Sequence, residues 1–137
     1  MMLEFAGLNW WAILACIVVG QVVLTVWFAV IFAKPWATAY GVADPKQHTA
    51  EVPPVTYGVG LGCMALLCIG LAVLQRSLGV AGLGGGLTIG LFVAVMFVVA
   101  TALPGYAFLR RYNAFRLAIG AQVLVILVNS AILSLWI

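Results

Sequence analysis

The stretch GVAGLGGGLTIG, residues 79–90, holds six glycines in twelve positions, and its reading decides what kind of chain this is. Glycine-rich runs either cradle phosphates or let helices approach closely. A P-loop needs Gly-x-x-x-x-Gly-Lys-Ser/Thr, with the Lys balancing phosphate charge, and no Lys follows Lys46. A dinucleotide fingerprint needs an acidic residue further on to hold the ribose, and none follows Glu51. The stretch therefore reads as a helix seam. Gly82, Gly86, Gly90 and Ala94 recur every fourth residue and so share one stripe of a helix, where small side chains let two backbones pack inside a membrane.

Composition points the same way, since 66% of the residues are hydrophobic and 7% charged, against roughly 25% charged in an ordinary soluble domain. The charged positions are Glu4, Lys34, Asp44, Lys46, Glu51, Arg76, Arg110, Arg111 and Arg116. The intervals between them are long enough for four helices of ~20 residues, each able to cross a ~30 Å hydrocarbon core. A spanning segment must satisfy its own backbone, and the runs lack the alternation of a barrel strand, so helix is the remaining choice. The expected architecture is an all-α integral membrane protein, one domain over residues 1–137, with four transmembrane helices in a compact bundle. The spans are read at about 10–32, 56–74, 83–103 and 117–136, on the requirement of ~20 apolar residues each, with a polar loop over residues 34–55. In the first span the many Val, Ile, Leu and Phe residues contribute roughly −0.3 to −0.6 kcal/mol each, which outweighs Gln21.

The N-terminal run is too long, and its leading tail too acidic at Glu4, for a secretory signal, so the first helix is expected to be retained. Neither Met2 nor the C-terminal residues fit a lipidation pattern. With four crossings, Lys34, Lys46, Arg110, Arg111 and Arg116 fall on one side and Arg76 on the other. Basic loops stay in the cytoplasm, so both termini are expected on the non-cytoplasmic side. Trp10, Trp11, Trp36, Tyr40, Tyr106, Tyr112 and Trp136 lie near the expected helix ends, at the depth that amphipathic rings favour.

Helix two offers a partner stripe in Gly58, Gly62, Leu66 and Gly70, and helix one offers Ala12, Cys16 and Gly20; the seam forms either within one chain or between copies, and the second and third helices are expected to form a tight hairpin around Arg76 and Ser77. A chain this small buries little surface alone, so a homo-oligomer is expected. Gln21 with Thr25, and Gln122 with Asn129 and the adjacent Ser130 and Ser134, are polar groups at membrane depth. They read either as interhelical glue or as the lining of a pathway. The arginines of LRRYNAFR, namely Arg110, Arg111 and Arg116, either fix topology or hold anionic lipid headgroups. The polar loop contains His48 between Asp44 and Glu51, too sparse a pattern for a metal site; within it, residues 37–42 are expected as a short amphipathic turn along the membrane surface. Cys16, Cys63 and Cys68 are read as small apolar fillers, with Cys63 and Cys68 on different helix faces. No cofactor, metal or nucleic-acid partner is indicated.

The opening NWWAILACIVVGQVVLTVWFAVIFAKPWATAYG resembles the start of the bacterial membrane proteins grouped as domain of unknown function seventeen sixty-one. That family opens with Asn-Trp, carries a Trp-Tyr pair late in its first helix, and continues with Phe-Gly-Lys-x-Trp. The matching positions are Asn9 and Trp10, Trp27 with Phe28 in place of Tyr, and Phe32, Lys34 and Trp36 with Ala33 in place of Gly. The resemblance covers the first third of the chain and implies a similar size and four-span plan, but no reaction and no catalytic residue. Three functional readings follow. The leading one is a multi-pass scaffold or binder of a lipid, a hydrophobic small molecule or a protein partner. The second is a small-solute transporter or channel subunit. The third is a membrane enzyme like the four-span glutathione-transferring proteins, disfavoured because the arginines and acids sit in loops.

Overall fold

The computed structural model describes residues 2–41, 44, 46, 50 and 52–136. Four of its helices are long and apolar enough to cross a membrane: α1 (Trp10–Ile31), α3 (Pro54–Ser77), α4 (Gly82–Phe108) and α5 (Tyr112–Leu135). A fifth, α2 (Ala33–Ala39), is short and follows α1 directly. No strand occurs among the described residues.

Each long helix runs to the polar or aromatic residues that bound its apolar stretch. α1 begins where the Asn9 side chain accepts a hydrogen bond from the Ala12 N–H at 3.1 Å, the standard use of Asn as an N-cap. α3 starts at Pro54, whose missing N–H costs nothing in a first turn. α4 continues past residue 103, through Pro104, to Phe108. Proline removes a backbone donor and crowds the preceding turn. Upstream of it the helix widens into a π-type turn over Ala94–Val99, and the Thr101 hydroxyl donates to the carbonyls of Phe97 and Val98. Such adjustments are how membrane helices re-satisfy freed backbone groups.

α5 is the central element. It packs against α1, α3 and α4, and buries Ala121, Val125, Ile126, Asn129, Ser130 and Ser134. The outer helices each show one inward stripe and one outward one. On α1 the buried face is Ala12, Ile13, Cys16 and Gly20, while Leu14, Val18 and Val22 are exposed. An apolar face this continuous, with no protein against it, belongs in hydrocarbon.

The glycine seam of α4 runs against α5, and not against α3 as a hairpin read from the glycine spacing requires. Gly86, Gly90 and Ala94 are buried. A methyl group on Gly86 would overlap the Ser134 side chain and lie 2.7 Å from the Ser130 carbonyl oxygen; one on Gly90 would lie 2.7 Å from Ser130 Oγ. Gly82 does not join the seam: it is the first residue of α4, at φ 80°, and a methyl group there would meet nothing within 4 Å. Gly58, Gly62 and Gly70 on α3 likewise have nothing within 4 Å. α3 and α4 instead leave a groove of about 340 Å³ between them, lined by Leu67, Gly70, Leu71, Leu74, Val93 and Phe97 among others. The physical reason is the serines: α5 presents Ser130 and Ser134, small enough to enter the α4 seam, whereas α3 meets α4 with leucines.

Candidate functional site

The residues singled out by the N-terminal motif and by the arginine cluster come together at the end of the helices that carries α2. α1 closes there with a π-type turn, Trp27–Ile31, in which the Phe32 N–H reaches the Trp27 carbonyl at 2.8 Å. The widened turn swings the chain sideways into α2. Trp27 anchors the corner: its indole N–H donates to the Leu117 carbonyl on α5 at 2.9 Å. Gly120 makes the room, since a methyl group there would lie 3.1 Å from the Trp27 ring. A row of ring contacts then holds α2 in place, Trp27 to Phe32 at 4.6 Å, Phe28 to Trp36 at 4.4 Å and Trp36 to Tyr40 at 4.8 Å between centroids, within the range of favourable aromatic pairs.

Between α2 and the start of α5 lies a cleft of about 680 Å³, lined by Phe32, Lys34, Pro35, Thr38, Arg116 and Leu117 with Ala39 and Asn113. A second hollow of about 450 Å³ shares Thr38, Ala39 and Asn113 with it and adds Arg110, Arg111 and Tyr112. Lys34, Arg110, Arg111 and Arg116 are all exposed. No carboxylate among the described residues pairs with any of them. Arg116 donates to Asn113 Oδ1. Arg111 donates to the Ala39 carbonyl at 3.4 Å and stands 5.6 Å from the centre of the Tyr40 ring, a cation–π distance. Burial holds the Tyr40 phenol above the usual tyrosine range, with Tyr106 pushing the same way and Arg111 opposing, so Tyr40 remains a neutral hydrogen-bond donor at physiological pH. Arg110 occupies the left-handed region at φ 56°, where a side chain is strained. Chemically, the corner is a cationic rim over a wall of Phe32, Pro35 and Leu117.

The remaining expected positions are dispersed. Trp10 is exposed at the start of α1. Asn9, besides capping α1, donates from Nδ2 to the Trp136 carbonyl at 3.3 Å and so ties the start of α1 to the end of α5. The Thr25 hydroxyl donates to the Gln21 carbonyl of its own helix at 2.8 Å, which satisfies it locally and leaves the pair without a shared site. Gln21 Nε2 is buried with no partner. Asn129 is fully buried; its side-chain nitrogen faces Cys68 Sγ at 3.4 Å and Met64 Sδ at 3.9 Å. Gln122 is half-buried, and no hydrogen bond joins it to Gln21 or Asn129. His48 and Glu51 lie outside the described residues, and no group of three or more His, Cys, Asp or Glu that could hold a metal occurs among the described ones.

Two features escape a reading of the sequence. Gln75 is buried within α3 and donates to the Ser130 carbonyl at 3.0 Å; its neighbour Arg76 draws attention in the sequence as the end of an apolar run, and nothing marks Gln75 as the inward-facing one. The second is the leading segment, which folds back over Arg76. Glu4 pairs with Arg76 at 3.4 Å, and its N–H reaches Ser77 Oγ at 2.8 Å. Beneath this strap is a cleft of about 360 Å³ lined by Asn9, Ala12, Ala72, Gln75 and Trp136 among others.

A family model matches residues 11–134, nearly the whole chain. The chain belongs to that family, described as Protein of unknown function (DUF1761). Membership thus extends well beyond the first third of the chain and takes in the entire α2 corner, while Asn9 and Trp10 lie just before the matched residues. The description assigns no reaction. No curated protein and no solved structure matches the chain.

Proposed function

We propose that the protein is a multi-pass binder of anionic lipid in a bacterial inner membrane, with the α2 corner on the cytoplasmic side and both termini outside. The observation that carries this reading is the pairing of Lys34 and Arg116 with Phe32, Pro35 and Leu117 around one cleft. Cations left without carboxylate partners above an apolar wall suit a ligand with an anionic head and a hydrocarbon body, and each basic side chain near a headgroup contributes about 1 kcal/mol. The orientation rests on the basic residues, which gather at the α2 end. Gly58 and Gly62, turned outward on α3, are available to a second copy of the chain, which supports a homo-oligomer. The transport reading would need Gln21, Gln122 and Asn129 to converge on one cavity, and it loses support because none of the four hollows described above is lined by any of them.

The test is thermal unfolding of the detergent-solubilised protein with added phosphatidylglycerol or phosphatidylcholine. The anionic lipid is expected to raise the melting temperature more, as a ligand of the folded state does. Equal shifts for the two lipids would overturn the proposal. Impermeant maleimide labelling of Leu3→Cys in intact cells, with Cys63 replaced by Ser, tests orientation: labelling from outside supports it, and protection refutes it.

A further inference from the structure

We propose that Cys16, Met64 and Cys68 form a buried three-sulfur site for a soft monovalent cation, Cu(I). The three sulfurs come from two helices and meet around one residue of a third. The Cys16 thiol donates to the Asn129 backbone carbonyl at 3.6 Å, and the Asn129 side-chain nitrogen lies 3.4 Å from Cys68 Sγ and 3.9 Å from Met64 Sδ. All four residues are at most 4% exposed, and the three sulfur-bearing ones share one cluster with Ile13, Ala72 and Val125. Gly20 closes the cluster from above, since a methyl group there would lie 2.5 Å from Met64 Sδ.

Packing alone accounts poorly for Asn129. A buried amide is stable when both ends are hydrogen-bonded. Here the nitrogen has only sulfur acceptors, which are weak, and the buried Oδ1 has no partner. A leucine or methionine would fill the same space without that penalty. The arrangement becomes reasonable if Cys68 is a thiolate, because the amide N–H then donates to a charge, while Cys16 keeps its proton, donated to the Asn129 backbone carbonyl.

Charge and ligand type select the cation. Thiolate and thioether donors favour Cu(I) over harder ions. On binding, Cu(I) displaces one thiol proton, which leaves to solvent; a copper–sulfur bond replaces the S–H bond, and the oxidation state does not change. One thiolate neutralises one positive charge, so the loaded site adds no net charge at membrane depth, where charge is costly. Zinc would demand a fourth ligand and a second deprotonation. The cleft beneath the Glu4 strap lies near the site: Ala12 and Ala72 line it and sit one helical turn from Cys16 and Cys68, respectively.

The test is anaerobic titration of the full-length, reduced protein in detergent with Cu(I), in competition with bicinchoninate. One equivalent per chain is expected to bind, with a sulfur-to-copper absorption band in the ultraviolet. Cys63 supplies the control, being free but exposed on the same helix as Cys68: Cys63→Ser should bind as the parent does. Cys68→Ser and the nearly isosteric Met64→Leu should each weaken binding at least about tenfold, the lower bound for disturbing even the surroundings of a metal ligand. Circular dichroism of Met64→Leu reports whether the fold survives. Failure to bind copper, binding lost in Cys63→Ser but kept in Cys68→Ser, or a Cys16–Cys68 disulfide in protein trapped with a thiol-blocking reagent would each overturn the site.

Discussion

α3 and α4 end in the same backbone turn made from different residues. After α3, Gly79 adopts φ 64°, its N–H reaches the Arg76 carbonyl at 3.0 Å, and the Val80 N–H reaches Gln75 at 2.9 Å. After α4, Arg110 adopts φ 56°, its N–H reaches Ala107 at 3.0 Å, and the Arg111 N–H reaches Tyr106 at 3.0 Å. Both are Schellman closures, in which glycine is the usual left-handed residue. Glycine adopts that conformation freely, whereas a side chain there costs about 1–2 kcal/mol. The two ends differ in charge as well. At the termini end the lone arginine, Arg76, is matched by Glu4; at the α2 end, Lys34, Arg110, Arg111 and Arg116 face no carboxylate among the described residues. One end is neutralised and relaxed, and the other keeps cations at the expense of backbone strain. That difference is what a site for an external anion predicts, and topology alone explains the charge but not the strain.

The largest test removes the rim of the main cleft. Lys34→Gln with Arg116→Gln deletes two cations worth about 1 kcal/mol each toward an anionic surface, so affinity for phosphatidylglycerol, measured by titration in nanodiscs, should fall about thirtyfold. Thermal stability without lipid should change little, since both side chains are exposed. Unchanged affinity would reduce the cations to topology signals and erase the functional half of the comparison. Next, Arg110→Gly turns the second closure into a copy of the first. Relief of the left-handed conformation should raise stability by about 1 kcal/mol, while loss of one cation should lower lipid affinity about fivefold. Opposite signs in the melt and the titration are the signature of strain kept for function; a loss in both would show that Arg110 supports the fold.

Much of this plan is legible in the sequence, and the gaps have a physical pattern. The four long apolar helices follow from the spacing of charged residues, because hydrocarbon excludes charge along a whole span and the signal accumulates over many residues. Partner choice does not accumulate in that way. The stripe Gly86, Gly90 and Ala94 is readable as a seam, yet nothing in its spacing says whether Gly58 and Gly62 or Ser130 and Ser134 will fill it; that depends on how the helices cross. The α2 corner was half visible: the motif drew attention to Trp27, Lys34 and Trp36, and LRRYNAFR to the arginines, but their meeting depends on a π-type turn at Trp27–Ile31 that has no marker in a run of apolar residues. Gln75 and Arg76 illustrate the same limit at one residue's resolution, since helix phase alone decides which faces inward.

A smaller effect tests what holds the corner. Trp27→Phe keeps the ring beside Phe32 but deletes the N–H that donates to Leu117. The carbonyl it leaves still accepts from its own helix, so the loss should stay near 1 kcal/mol, read as a modest fall in melting temperature. Because α2 is then less firmly placed, lipid affinity should fall as well, though less than on removing Lys34 and Arg116.

The smallest effect expected is at the opposite end. The Glu4 and Arg76 side chains are 58% and 46% exposed, and ion pairs in such positions contribute about 0–1 kcal/mol. Glu4→Gln keeps the backbone N–H that binds Ser77 Oγ, so the strap should stay down and the melting temperature should barely move. Freed from its carboxylate, however, Arg76 becomes an unmatched cation like those at the α2 end. If unpaired charge alone attracts anionic lipid, Glu4→Gln should gain a second lipid-binding phase in the same titration. If the shape of the α2 cleft is also required, no second phase should appear: the cleft beside Arg76 has apolar lining too, from Leu8, Val80 and Leu133, but at about 360 Å³ against 680 Å³ it is far smaller and keeps the Glu4 strap over it. We expect the latter, and a second phase as strong as the first would show that charge, without the shape of the corner, accounts for binding.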